Sequence, residues 1–109
     1  MESKIRHVIP KYIGPHGVPI RKWLFEHPRF RTHIIRNMDM ILQKIRRRYP
    51  SFRHMDLHAN NVTYYRGRLC LSHFEHARLD SSIPVSYDLD TFIGTLDPLA
   101  ADIAMGITS

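Results

Sequence analysis

Apolar residues recur at three- and four-residue spacing from Phe30 through Ile34, Met38, Ile41 and Leu42 to Ile45, the period of one face of an α-helix. Arg31, Arg36, Asp39, Gln43 and Lys44 fall mostly on the opposite side, as a half-buried helix requires. Arg46, Arg47 and Arg48 occupy the last turn, where cations complement the helix dipole. Tyr49-Pro50 closes the pattern, which predicts a helix over 30–48.

The period then changes. Val62-Thr63-Tyr64-Tyr65 and Leu69-Cys70-Leu71 flank Arg66-Gly67, and β-branched and aromatic residues around a tight turn predict a hairpin over 62–72. Leu89, Phe92, Ile93 and Leu96 return to helical spacing and predict a helix over 88–96. Asp97-Pro98 breaks it, and a helix of small residues is expected over 99–105. Near the N-terminus, His7 to Tyr12 suits a short strand, confined to a sheet edge by Pro10. Gly14-Pro15-His16-Gly17 reads as a turn. Pro19 to Phe25 then predicts a short helix stopping near His27-Pro28. The fold class expected is α+β, mainly α, with one small β hairpin in a single partial domain over 1–109.

Composition narrows the class. With 43% apolar and 24% charged residues the chain reads as globular rather than disordered. Cys70 stands alone, so no intramolecular disulfide forms, and a reducing compartment is the simpler expectation. No run of 18 apolar residues and no apolar leader is found, so no membrane association is expected. An intracellular, cytoplasmic protein is expected. The net charge of +6 points to anionic partners, among them nucleic acid and nucleotide phosphates.

The chemistry concentrates in His54-Met55-Asp56-Leu57-His58-Ala59-Asn60-Asn61. Phosphoryl transfer needs a carboxylate to orient the attacking hydroxyl and ligands for the Mg²⁺ that neutralises the phosphates. A loop Asp with an Asn five residues later supplies one of each. Asp56 and Asn61 have that spacing, and His54 and Leu57 complete His-x-Asp-Leu-x-x-x-Asn. The motif follows the helix over 30–48 and precedes the hairpin. After the hairpin comes Leu71-Ser72-His73-Phe74-Glu75.

On these residues the chain resembles the large lobe of the protein-kinase-like superfamily, more closely its aminoglycoside and small-molecule phosphotransferase branch. It also resembles, more loosely, predicted kinases of large DNA viruses, which would place it in a host cell. The likeness spans roughly 8–96. It implies a hinge-like segment over 8–25, with Lys11, Tyr12 and Ile13 at the nucleotide, and a catalytic-loop-like segment over 53–61. It further implies Asp56 as the catalytic residue and Asn61 as a metal ligand. His54 and Phe74 become structural partners, and Asp88 or Asp90 becomes the brace of the loop. The segment from Ser72 to Glu75 resembles Asp-Phe-Gly, or its Asp-Phe-Glu form, but His73 occupies the usual Asp position. No glycine-rich phosphate loop or strand lysine precedes the hinge, so the smaller lobe is expected to be missing. The resemblance therefore implies a remnant or pseudokinase, with ATP and Mg²⁺ bound weakly if at all. A working half that requires a second chain is the alternative.

Other readings compete. His54, Asp56 and His58 alternate, and with His73 and His76 they suggest zinc hydrolysis. Arg46, Arg47, Arg48, Arg53, Arg66 and Arg68, with Phe52, Tyr64 and Tyr65, suggest a basic nucleic-acid-binding module. Strand alternation, however, sets Tyr64 and Tyr65 on opposite faces. An uncovered hinge face at Ile13, Trp23 and Leu24 would favour self-association or a protein partner.

Overall fold

The computed structural model describes residues 1–96. Four α-helices, α1 (Glu2–Val8), α2 (Ile20–Glu26), α3 (Arg31–Arg48) and α4 (Tyr87–Leu96), surround two small sheets. The helix expected over 99–105 lies outside the described residues.

α3 carries the core. Ile34, Met38, Ile41, Leu42 and Ile45 are all buried, matching the periodicity at every position after Phe30. Phe30 is instead 38% exposed and packs against the edge of Trp23 at 5.6 Å between ring centroids. The hairpin forms as expected from β3 (Val62–Tyr65) and β4 (Arg68–Leu71), with Val62 opposite Leu71 and Tyr65 opposite Arg68. Arg66 and Gly67 adopt φ of 50° and 83°. Two consecutive positive φ values give the turn whose twist matches that of the strands. β1 (Val18–Pro19) extends the sheet antiparallel to β3. β2 (Phe52–Arg53) pairs with β5 (Arg78–Leu79) and frames the motif loop.

The N-terminal reading needs correction. His7 to Tyr12 is not a strand: α1 runs to Val8, and Pro10–Tyr12 form one 3₁₀ turn. Ile5 and Ile9 lie four residues apart, the spacing of one helix face, and both are fully buried. Pro10 opens the 3₁₀ turn, where a missing N–H costs nothing. Ile13 then forms a parallel bridge to Leu71, and the Gly14 N–H donates to the Leu71 carbonyl at 2.9 Å.

The residues of the expected apolar hinge face are covered by the chain itself. Ile13 is 7% and Leu24 5% exposed, both inside the chain's own core. Trp23 is half-buried, stacked between Tyr64 at 4.1 Å and His27 at 4.5 Å. Among the described residues no helix is long and apolar enough to cross a membrane.

Candidate functional site

The motif loop hangs between α3, the hairpin and α4, and its backbone is held mainly from α4. Asp88, in the first turn of α4, is fully buried. Its two carboxylate oxygens accept the backbone N–H of His54 at 2.7 Å and of Met55 at 3.0 Å. Seven residues on, Thr95 Oγ1 accepts the N–H of Ala59 at 2.9 Å. Asp90 is exposed. Of the two Asp candidates, Asp88 is the brace.

Met55 sits at φ 74°, a conformation that disfavours a side chain with a Cβ. Asp88 offsets that cost by holding the N–H of this residue and its neighbour. A buried carboxylate needs a counter-charge, and Arg46 Nη2 lies 3.7 Å from Asp88 Oδ2. Arg46 is drawn in far enough that burial pushes its pKa below the usual value, against the attraction of Asp88.

His54 is fully buried at the centre of the loop. Its Nδ1 accepts the N–H of Asp56 at 3.1 Å, so its Nε2 carries the proton and donates to the Ser72 carbonyl at 2.9 Å. Its ring lies 4.7 Å from that of Phe74. Burial lowers the His54 pKa, while the Ser72 carbonyl and Asp88, Asp56 and Glu75 act the other way. One neutral imidazole thus ties the Asp56 backbone to the residue before His73.

The Asn61 side-chain amide donates to the Asp56 carbonyl at 2.7 Å, closing the loop across the same five residues that the sequence motif spans. The Asp56 carboxylate remains partly exposed and meets His58 Nε2 at 3.2 Å. His73 has φ 59° and an exposed ring 3.6 Å from the Glu75 carboxylate. Lys11 is exposed and Tyr12 half-buried, in the 3₁₀ turn beside β4.

Several residues weighed for the competing readings are committed elsewhere. Arg53 is only 4% exposed, with its guanidinium donating to the carbonyls of Ile83 and Phe52 at 2.9 and 2.8 Å, and Phe52 is fully buried. Neither can face a nucleic acid. Arg46 serves Asp88. For zinc, His54 has both ring nitrogens engaged. Among the described residues no three His, Cys, Asp or Glu side chains converge on a metal position.

Sequence reasoning missed Arg46 and Thr95. A helix-end arginine looks solvated by residue type. Thr95 lies seven positions after Asp88 on the same helical face, the only signal that marks it.

A scan against protein-family models and searches of curated proteins and of solved structures give no match to this chain.

Proposed function

We propose that this chain is a kinase-like remnant, a pseudokinase fragment that keeps the catalytic-loop scaffold without the means to hold a metal-bound phosphate. The observation that carries the reading is the His54 node. It joins Asp56, Ser72 and the Phe74 ring, while Asp88 grips the adjoining backbone. These are the supporting roles the resemblance assigns to His54, Phe74 and the α4 Asp. A scaffold this interconnected is what a motif of catalytic origin leaves behind.

The donor set at the metal position does not fit Mg²⁺. That cation prefers oxygen ligands and near-octahedral geometry. His73 presents an imidazole on an exposed ring, with no negative charge. Asn61 can offer one neutral oxygen, with its amide nitrogen committed to the Asp56 carbonyl. Without a metal across the β- and γ-phosphates, a hydroxyl oriented by Asp56 has no correctly placed γ-phosphate to attack. ATP then binds weakly beside Lys11, Tyr12 and Ile13, indifferent to Mg²⁺.

The test is a radiolabelled-ATP assay on the wild type and on Asp56→Ala, together with ATP titration with and without Mg²⁺. No phosphotransfer, and equal weak affinity in both titrations, is the expected result. Robust turnover lost in Asp56→Ala would overturn the remnant reading in favour of a working phosphotransferase half that needs a second chain.

A further inference from the structure

The hairpin turn carries a cluster that the motif loop does not use. Arg66 lies over the Tyr65 ring at 5.1 Å and Arg68 at 5.8 Å from its centroid. His16 meets the same ring at 5.8 Å. Arg68 Nε donates to the Lys11 carbonyl at 2.7 Å, which brings the Lys11 segment to the same edge. Among the described residues, none of Lys11, Arg66 and Arg68 forms an ion pair with a carboxylate.

The platform is also stiff. Thr63 Oγ1 donates to the His16 carbonyl, and Gly17 lies so close under Tyr64 that a Cβ there would strike its carbonyl oxygen. Two guanidiniums thus lie over one aromatic ring at the turn, with the backbone of a third cationic residue, Lys11, tied to one of them and no carboxylate paired to any of the three among the described residues.

We propose that this edge, formed by Lys11, His16, Tyr65, Arg66 and Arg68, binds single-stranded nucleic acid. A guanidinium fork matches phosphate oxygens in pairs, and two of them side by side suit successive phosphates along a strand. The Tyr65 and His16 rings lie among the cations, where an unpaired base can stack. A duplex keeps its bases inside, and an acidic peptide has no use for the rings, so neither fits as well. The site lies outside the motif loop and does not depend on the kinase-like reading.

The experiment is fluorescence anisotropy of the full chain with a labelled single-stranded oligonucleotide of about 20 residues across a salt series. Three proteins are compared: wild type, Arg66→Ala/Arg68→Ala, and Arg47→Ala/Arg48→Ala, which removes equal charge from the end of α3. Each phosphate contact on a single strand contributes about 0.7 to the log–log salt slope. The hairpin variant should therefore lose about 1.4 of slope and about tenfold or more in affinity at low salt. The α3 variant should keep most of both. Thermal melts of all three are expected to coincide. Should the Arg68 bond to Lys11 prove structural, Arg66→Ala alone, at an exposed position, should still show about half of the slope change. Equal loss in the two variants would overturn the proposal as general charge attraction. So would absence of binding at low salt, duplex of the same length binding as tightly, or polyglutamate displacing the strand more effectively than unlabelled oligonucleotide.

Discussion

Arg46 and Asp88 face each other at 3.7 Å, and in this pair the carboxylate is the better satisfied member. Asp88 also receives two backbone N–H groups, whereas Arg46 Nε and Nη2 are buried without a hydrogen-bond partner. The two ends of the pair should therefore respond unequally to mutation. Asp88→Ala strips the acceptors from two backbone N–H groups, those of His54 and Met55, and strands a partly buried cation, so it should cost about 3–5 kcal/mol. Arg46→Met removes a cation whose hydrogen bonds are already unmade and should cost under about 2 kcal/mol. Asp90→Ala, at an exposed position, should stay within about 0.5 kcal/mol. Urea unfolding of the three variants checks the order.

Acid should weaken the fold through His54. Burial holds its folded pKa below the ordinary value of 6.5, so between the two values the unfolded chain binds the extra proton. Stability then rises with pH across that window. It is fully present above about 6.5 and lost as pH falls toward the lowered folded value. The geometry agrees, since a proton on Nδ1 would confront the Asp56 N–H that it now accepts. Asp80 also titrates below its ordinary value, through its bonds to Ser82, but its window lies at more acid pH. Urea midpoints measured from pH 5 to 7.5 should rise in the wild type. They should stay flat in His54→Gln, which is less stable throughout.

Two glycines with similar backbones should differ sharply. Gly17 at φ 97° lies against the Tyr64 carbonyl, and Gly67 at φ 83° faces open space. Gly67→Ala should cost about 1–2 kcal/mol, from the backbone conformation alone. Gly17→Ala adds a collision with main chain to that cost and should lose about 3 kcal/mol or more. Denaturant midpoints separate them.

Placing a carboxylate at His73 tests whether that position addresses a metal, as the proposed reading implies. His73→Asp should then make ATP affinity Mg²⁺-dependent, because the site gains a charged oxygen donor. On the proposed remnant reading it should not restore turnover, because one added carboxylate does not supply the other contacts that position the phosphates. Isothermal titration with and without Mg²⁺, beside a turnover assay, reads both outcomes. An affinity unmoved by Mg²⁺ would refute the metal assignment of His73.

Much of this architecture was legible because it is periodic. α3 spans five buried residues at helical spacing, and the hairpin couples strand-forming residues to a turn that needs positive φ. α1 was not, because Ile, Val and Pro near Ile9 suggest an extended edge, and only the four-residue step from Ile5 to Ile9 reveals the helix. β1, β2 and β5 are two residues long and carry no pattern of their own.

At the site, the spacing of His54, Asp56 and Asn61 singled out the loop, and the resemblance it carries implied a role for each. Choosing Asp88 over Asp90 required knowing which side of α4 turns inward. The apolar residues Leu89, Phe92, Ile93 and Leu96 mark a broad stripe that borders both. Charged residues were misread in one direction: Arg46 and Arg53 look like solvent-facing cations by type, yet Arg46 is partly buried against a carboxylate and Arg53 is buried among carbonyl oxygens.

The grip of α4 on a loop more than 30 residues away sets when that loop can open. The amide protons of His54 and Met55 point into a carboxylate that belongs to another element. They are shielded from solvent only while α4 is docked. Their hydrogen exchange should therefore follow the undocking of α4 rather than fraying of their own short segment, in step with the amide of Ala59 at Thr95. Slow exchange in a segment with almost no regular secondary structure would be a local signature of a distant helix.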